Sequence, residues 1–234
     1  MRLFCFPYAG GGASIYRSWQ DGLPAEIEVC PVQPPGRENR LSHERFLRVG
    51  PLADAVIEAI QPLVDLPFAF FGHSLGAVVA YETAVRLRDS GAPAPVQIIV
   101  SARRAPGVAP RDEPTYDLPP DEFRAKLEEL EGTPKAVLDH PELMELMEPL
   151  LRADFELNDT YEPSGKPPLD SPVTVFGGLE DPDVEREHLE HWKEVTRAEF
   201  RLRMFAGGHF FLHDHQATVT ASVAEELMPK IVNL

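Results

Sequence analysis

The chain has 234 residues, is 43% hydrophobic, and carries a net charge of -16 from 38 acidic and 22 basic residues. That supports one sizeable core in a single domain (1–234), and it excludes the dominant basic patch that a nucleic-acid or anionic-membrane partner requires. The two cysteines, Cys5 and Cys30, are too few for a disulfide framework and are expected as buried reduced thiols.

The opening "MRLFCFP" runs straight into a strand, leaves no room for a secretory leader, and no later apolar run has membrane-spanning length. A soluble, cytoplasmic monomer is expected. Apolar runs of strand length follow at 3–6, 27–32, 68–72, 96–101, 172–177 and 200–205. The middle ones are continuous, as strands covered on both faces should be. Between them, 51–64 shows helical spacing with Pro51 suited to a first turn, and 74–91 is a helix closed by Gly91. Residues 183–196 and 214–229 read as two more helices. Strand alternating with helix predicts an α/β architecture: a mainly parallel sheet of about six to seven strands flanked by helices. Residues 106–168 interrupt the alternation with helical stretches only, and are expected to form a helical lid insertion over the site. Met144, Met147, Leu150 and Phe155 within it are expected to contact substrate, because they have no obvious sheet to cover.

The stretch "FFGHSLGA" carries the chemistry. Ser74 stands between glycines two places before and two places after, behind a strand and at the head of a helix. A strand–turn–helix of that shape strains the serine backbone and aims its hydroxyl above the sheet, and side chains at the glycine positions would collide. The plainer alternative is a serine helix cap flanked by glycines. A serine nucleophile needs a base and the base an orienting carboxylate, in the chain order Ser, acid, His. The base assigned is His209, behind "AGG" on the loop after the last strand; His213 and His215 are left to structure or solvent. A metal site built from His209, His213, Asp214 and His215 is disfavoured, since no second cluster joins them. The loop "GGLEDPDV" offers Glu180, Asp181 and Asp183; Asp181 is chosen, also as a cap for the helix behind it, with Asp183 as the fallback. The oxyanion donors expected are the N–H of Leu75 and that of Tyr8 or Ala9 in the glycine-rich loop after the first strand.

"FPYAGGGAS", "PPGRENRL", "FFGHSLGA", "SARRAP", "LRADFELNDTY" and "FAGGHFFL" resemble, in order and spacing over nearly the whole chain, the stand-alone type II thioesterases of polyketide and nonribosomal peptide pathways. The resemblance implies an α/β-hydrolase fold and an enzyme that clears stalled or wrong acyl groups from phosphopantetheine arms of acyl or peptidyl carrier proteins. It implies Ser74, Asp181 and His209 as the triad, and no metal or cofactor. One departure is Ala102, where the family often has glycine. Carrier proteins of such pathways are usually acidic, so docking to this acidic chain calls for local cations; Arg103 with Arg104, and Arg37 with Arg40, are the candidates. A general carboxylesterase or lipase on the same triad, and a non-catalytic acyl-carrier-binding module, are the competing readings.

Overall fold

A computed structural model describes residues 1–109, 113–130, 132–133 and 135–232. Six strands form one sheet: β1 (Arg2–Phe6), β2 (Glu28–Pro31), β3 (Phe68–His73), β4 (Gln97–Ser101), β5 (Val173–Gly178) and β6 (Phe200–Phe205). Every pairing is parallel and the order is β2-β1-β3-β4-β5-β6. Each lies within two residues of its predicted run.

The continuous apolar runs are explained by what covers them. Alternate residues of one strand enter different cores. Phe4, Phe6, Phe70, Ile98, Val100, Val173 and Val175 pack with helices α1 (Val49–Ile60) and α2 (Leu75–Asp89) on one face. Leu3, Cys5, Phe71, Ile99 and Phe176 pack on the other face against Tyr16, Trp19 and the last helix. A strand covered on both faces has no polar side to show, so period two disappears from its sequence. Cys5 is buried, but Cys30 on the edge strand β2 is only half-buried, because an edge strand lacks a second neighbour; both thiols are free.

Between β4 and β5 lie α3 (Pro120–Glu129), α4 (Lys135–Leu138) and α5 (Pro141–Asp159). They build a small core of their own from Phe123, Leu127, Leu138, Met144 and Leu151. After β5 come α6 (Arg186–Glu190) and a 3-10 turn, His191–Val195, where one longer helix was expected. After β6 come α7 (Phe211–Asp214) and α8 (Gln216–Val232). No helix among the described residues is long and apolar enough to cross a membrane. The parallel order turns about β1 and β3, and the crevice at the carboxyl ends of such strands is where α/β sheets place their ligands.

Candidate active site

Ser74 sits between β3 and α2 with φ 52° and ψ -116°, in the left-handed half of backbone space that L-residues avoid. The turn is held by its N–H, which donates to the Ser101 carbonyl at 2.8 Å, and by its carbonyl, which accepts from Ala77 N–H at 3.0 Å. The flanking glycines are steric requirements. A Cβ on Gly72 would lie 2.2 Å from the Gly76 carbonyl oxygen, and one on Gly76 would lie 2.1 Å from that of Phe6. Strand, helix and first loop therefore meet backbone to backbone under the serine.

His209 follows β6 and Asp181 follows β5. The His209 Nδ1 stands 2.7 Å from Asp181 Oδ2. The other carboxylate oxygen, Oδ1, accepts the N–H groups of Asp183 at 2.9 Å and Val184 at 3.1 Å. The Asp181 side chain is wholly buried, while that of His209 keeps a fifth of its surface open. With Oδ1 saturated by backbone donors, the carboxylate is fixed in one rotation and its charge is directed at the imidazole. Asp181 does not cap the following helix as expected. That helix begins later, at Arg186, and a reciprocal bond pair between Glu185 and His188 caps it. Asp183 meets Asp181 through its backbone.

Ser74 and His209 line one cavity of about 430 Å³, together with Tyr8, Ala9 and Leu75. That is the size range of a small-molecule site. Leu75 is the first residue of α2, so its own N–H has no intrahelical acceptor. In the first loop Gly11 N–H turns back to the Tyr8 carbonyl at 2.9 Å and Gly10 N–H goes to Asp154; the N–H groups of Tyr8 and Ala9 have no acceptor among the described residues. The residues of both predicted donor sources thus line the same cavity as the serine.

His73 lies beneath, fully buried, its Nδ1 2.9 Å from Ser101 Oγ and its ring 5.4 Å from that of His209. Burial pushes His73 well below the ordinary histidine value, with His209 and His213 adding in the same direction, so it is neutral. No hydrogen bond of normal geometry reaches its Nε2 among the described residues, although the His209 backbone stands close enough to act on the ring. His213, left to structure or solvent by the sequence, reaches the first loop: its Nε2 stands 2.8 Å from the Tyr8 hydroxyl. Burial lowers His213 and raises Tyr8, so both are neutral in this bond.

Two groups of predicted residues stand elsewhere than expected. Of the four side chains of the insertion expected to contact substrate, Phe155 lines the cavity; Met144 and Met147 face the insertion's own core instead, and Leu150 is buried away from the cavity. Leu127, Leu130 and Leu151 take their place on the wall. The helix α5 is apolar on more than one face, and the methionine face is spent on α3 and α4. Among the arginines, Arg37 is not a docking group: it is buried, with its guanidinium on Asp154 at 2.7 and 2.8 Å. Arg40 donates to the Gln33 carbonyl at 2.9 Å and to His43 at 3.0 Å. Arg104 donates to the carbonyls of Asp183 at 2.6 Å and Ala109 at 3.0 Å. Arg103 bonds Asn158 of α5, and burial pushes its guanidinium down to about 10, which leaves it cationic at neutral pH. Both line the cavity. No sequence signal announces the partnership between Arg37 and Asp154, which are 117 positions apart.

Comparison with known proteins bears on this geometry. A family model described as a thioesterase domain matches residues 1–230. The gramicidin S biosynthesis protein GrsT of Aneurinibacillus migulanus is 40% identical over 227 residues, which is 97% of this chain and 89% of that protein. The RedJ thioesterase from the prodiginine biosynthetic pathway in Streptomyces coelicolor has a solved structure that superposes with a TM-score of 0.91 at 37% identity, covering 97% of this chain and 90% of the other. The type II thioesterase BorB from the borrelidin biosynthetic cluster superposes with a TM-score of 0.87 at 34% identity, covering 97% and 92%.

Proposed function

We propose, from the premise that the chain belongs to the thioesterase family, that it hydrolyses acyl thioesters on the phosphopantetheine arm of acyl or peptidyl carrier proteins, using Ser74, His209 and Asp181. The observation that carries the reading is the buried Asp181 carboxylate 2.7 Å from His209 Nδ1, on the cavity that also holds the strained Ser74. In this mechanism His209 Nε2 takes the proton of Ser74 Oγ as the oxygen attacks the thioester carbonyl carbon. The N–H groups of Leu75 and of Tyr8 or Ala9 receive the oxyanion. The C–S bond then breaks, the sulfur leaves with the proton from His209, and the acyl group stays on Ser74. Water gives a proton to His209, attacks the ester, and the acid departs as Ser74 regains its proton.

Thioester hydrolysis suits this site because the leaving thiol is a weak base that asks little of the general acid. The apolar wall of Leu127, Leu130, Leu151 and Phe155 suits an acyl chain. Clearance of stalled or wrong groups is the role that fits the likeness to type II thioesterases such as BorB. The insertion 106–168 serves as its lid, and the cavity-lining Arg103 and Arg104 act along the path of the acyl-pantetheine arm.

The test offers the purified protein an acyl-carrier protein, an acyl N-acetylcysteamine thioester and a p-nitrophenyl ester of the same acid. Free thiol and free acid should appear from both thioesters. Ser74→Ala and Asp181→Asn should each lower turnover by at least about a thousandfold at equal folded protein, as removal of triad members does. Turnover of the oxygen ester alone would favour the carboxylesterase reading. A parent protein inert on all three, and not labelled at Ser74 by a fluorophosphonate, would make it a binding module.

A further inference from the structure

Asp154 and Arg37 form a buried pair that does not belong to the triad. Their side chains are 2% and 7% exposed, and Arg37 Nη2 donates to Asp154 Oδ1 at 2.7 Å while Nη1 donates to Oδ2 at 2.8 Å. The pair grips the first loop from both sides. Asp154 Oδ2 accepts the Gly10 N–H at 2.7 Å, and Arg37 Nη1 donates to the Gly11 carbonyl at 2.8 Å. Gly10 has φ 77°, and a Cβ on it would lie 2.7 Å from the Leu151 side chain of α5. The peptide groups around Gly10 are therefore oriented by a carboxylate, a guanidinium and direct contact with α5. Among the described residues the N–H groups of Tyr8 and Ala9 have no acceptor, and both residues line the cavity together with Ser74 and Leu75.

A buried ion pair is weak ground for stability, since desolvating both charges offsets most of their attraction, and an apolar pair of similar volume often folds as well. Its better-attested use is to specify one arrangement of the backbone. We propose that Asp154 and Arg37 are positioning residues of the hydrolysis: they hold the first loop so that its free N–H points at the oxyanion formed on Ser74. The inference rests on the reading of the cavity as a thioesterase site. Catalysis is sensitive to such orientation because donors stabilise the oxyanion only when they are already aimed at the place where its charge develops.

Two double variants separate positioning from stability. Arg37→Met with Asp154→Leu keeps the volume but loses both grips on the loop. Arg37→Gln with Asp154→Asn removes the charges but keeps an amide oxygen for Gly10 and an amide donor for Gly11. Each is assayed on an acyl N-acetylcysteamine thioester, per active site titrated with a fluorophosphonate, with its melting temperature recorded. Binding of a trifluoromethyl ketone, which forms a tetrahedral oxyanion on serine, is measured alongside binding of an inert amide analogue. The apolar pair should lose about a hundredfold in kcat, the usual cost of one oxyanion donor, with KM little changed. Its affinity for the ketone should fall by a similar factor while the amide analogue binds as before. The Gln/Asn pair should recover kcat to within about tenfold of the parent, since each hydrogen bond keeps a counterpart.

A folded apolar pair with kcat within threefold of the parent would overturn the proposal. So would a kcat loss without matching loss of ketone affinity. Should the apolar pair not fold, Asp154→Ala alone serves, since it removes the acceptor of Gly10 N–H, and the same match between kcat/KM and ketone affinity decides. A parent unlabelled at Ser74 would instead sink the site reading itself.

Discussion

Ser74 and Ala102 are both non-glycine residues with positive φ, at 52° and 48°, and they end neighbouring strands. The serine has a reason to bear the strain, because the turn presents its hydroxyl to the cavity. Ala102 contributes no reacting group; it is buried on the cavity wall, and its N–H donates to the Phe176 carbonyl at 2.9 Å. Its backbone is left-handed, a conformation that favours a residue without Cβ. Ala102→Gly should therefore stabilise the protein by about 0.5–1 kcal/mol, the relief of the Cβ clash exceeding the entropy that glycine gains in the unfolded chain. Urea unfolding of parent and variant measures it, and an unchanged or lower midpoint at constant slope would refute it. At this scale the sequence was most legible. The serine turn is written in glycines spaced for backbone contact, and His209 and Asp181 each follow a strand closely. The Arg37–Asp154 grip was not legible, since ion pairing between loops depends on where the folded chain returns.

At the scale of elements, the strands were readable because burial on both faces makes them uniformly apolar, and the residue after each is placed automatically at the carboxyl edge. The insertion was readable as helical but not as to which face does what. Met144, Met147 and Leu151 of α5 repeat at three and four residues and turn to α3 and α4; periodicity finds that stripe but does not say whether a cavity or a core lies beyond it. Pro149, inside α5, also removes one helical hydrogen bond. It divides the helix into a first half packed on α4 and a second half tied to the main body. The ties are Asp154 to Arg37, Glu156 to Arg48 at 2.5 Å, and Asn158 to Arg103. Chain-length selectivity should accordingly follow the side chains on the wall. Leu130→Phe, which adds bulk at the cavity, should lower kcat/KM for a long acyl thioester relative to a short one by about tenfold or more. Each methylene denied its place forfeits about 0.8 kcal/mol. Met147→Phe should leave the ratio alone, because Met147 does not line the cavity. The opposite pattern, with Met147 controlling the ratio, would mean that the insertion works in a different arrangement.

For the whole molecule, acid sensitivity follows from groups whose charge the fold suppresses. His73 is buried at the end of β3, among His209, His213 and the ring of Tyr8, and is held well below its ordinary value chiefly by desolvation. An unfolded histidine titrates near about 6.5. Below that pH the unfolded chain binds a proton that folded His73 refuses. Stability is thus intact above about pH 6.5 and is lost as the pH falls toward the depressed folded value, by up to about 1.4 kcal/mol per pH unit. His213, also lowered by burial, adds a smaller loss of the same sign. Glu82 acts oppositely. Desolvation raises its carboxyl, and its contribution is present below the unfolded glutamate value and fades as pH rises through the raised one. A single stability curve mixes the three, so the difference between parent and variant is the quantity to measure. His73→Asn keeps a polar atom near Ser101 Oγ and cannot titrate. Denaturant unfolding from about pH 7 down to about pH 5 should show the parent losing about 1.4 kcal/mol per unit more than the variant below pH 6.5. Parallel curves would mean that the folded state takes up the proton at His73 as readily as the unfolded chain, and that the strand end beneath His209 is open to water.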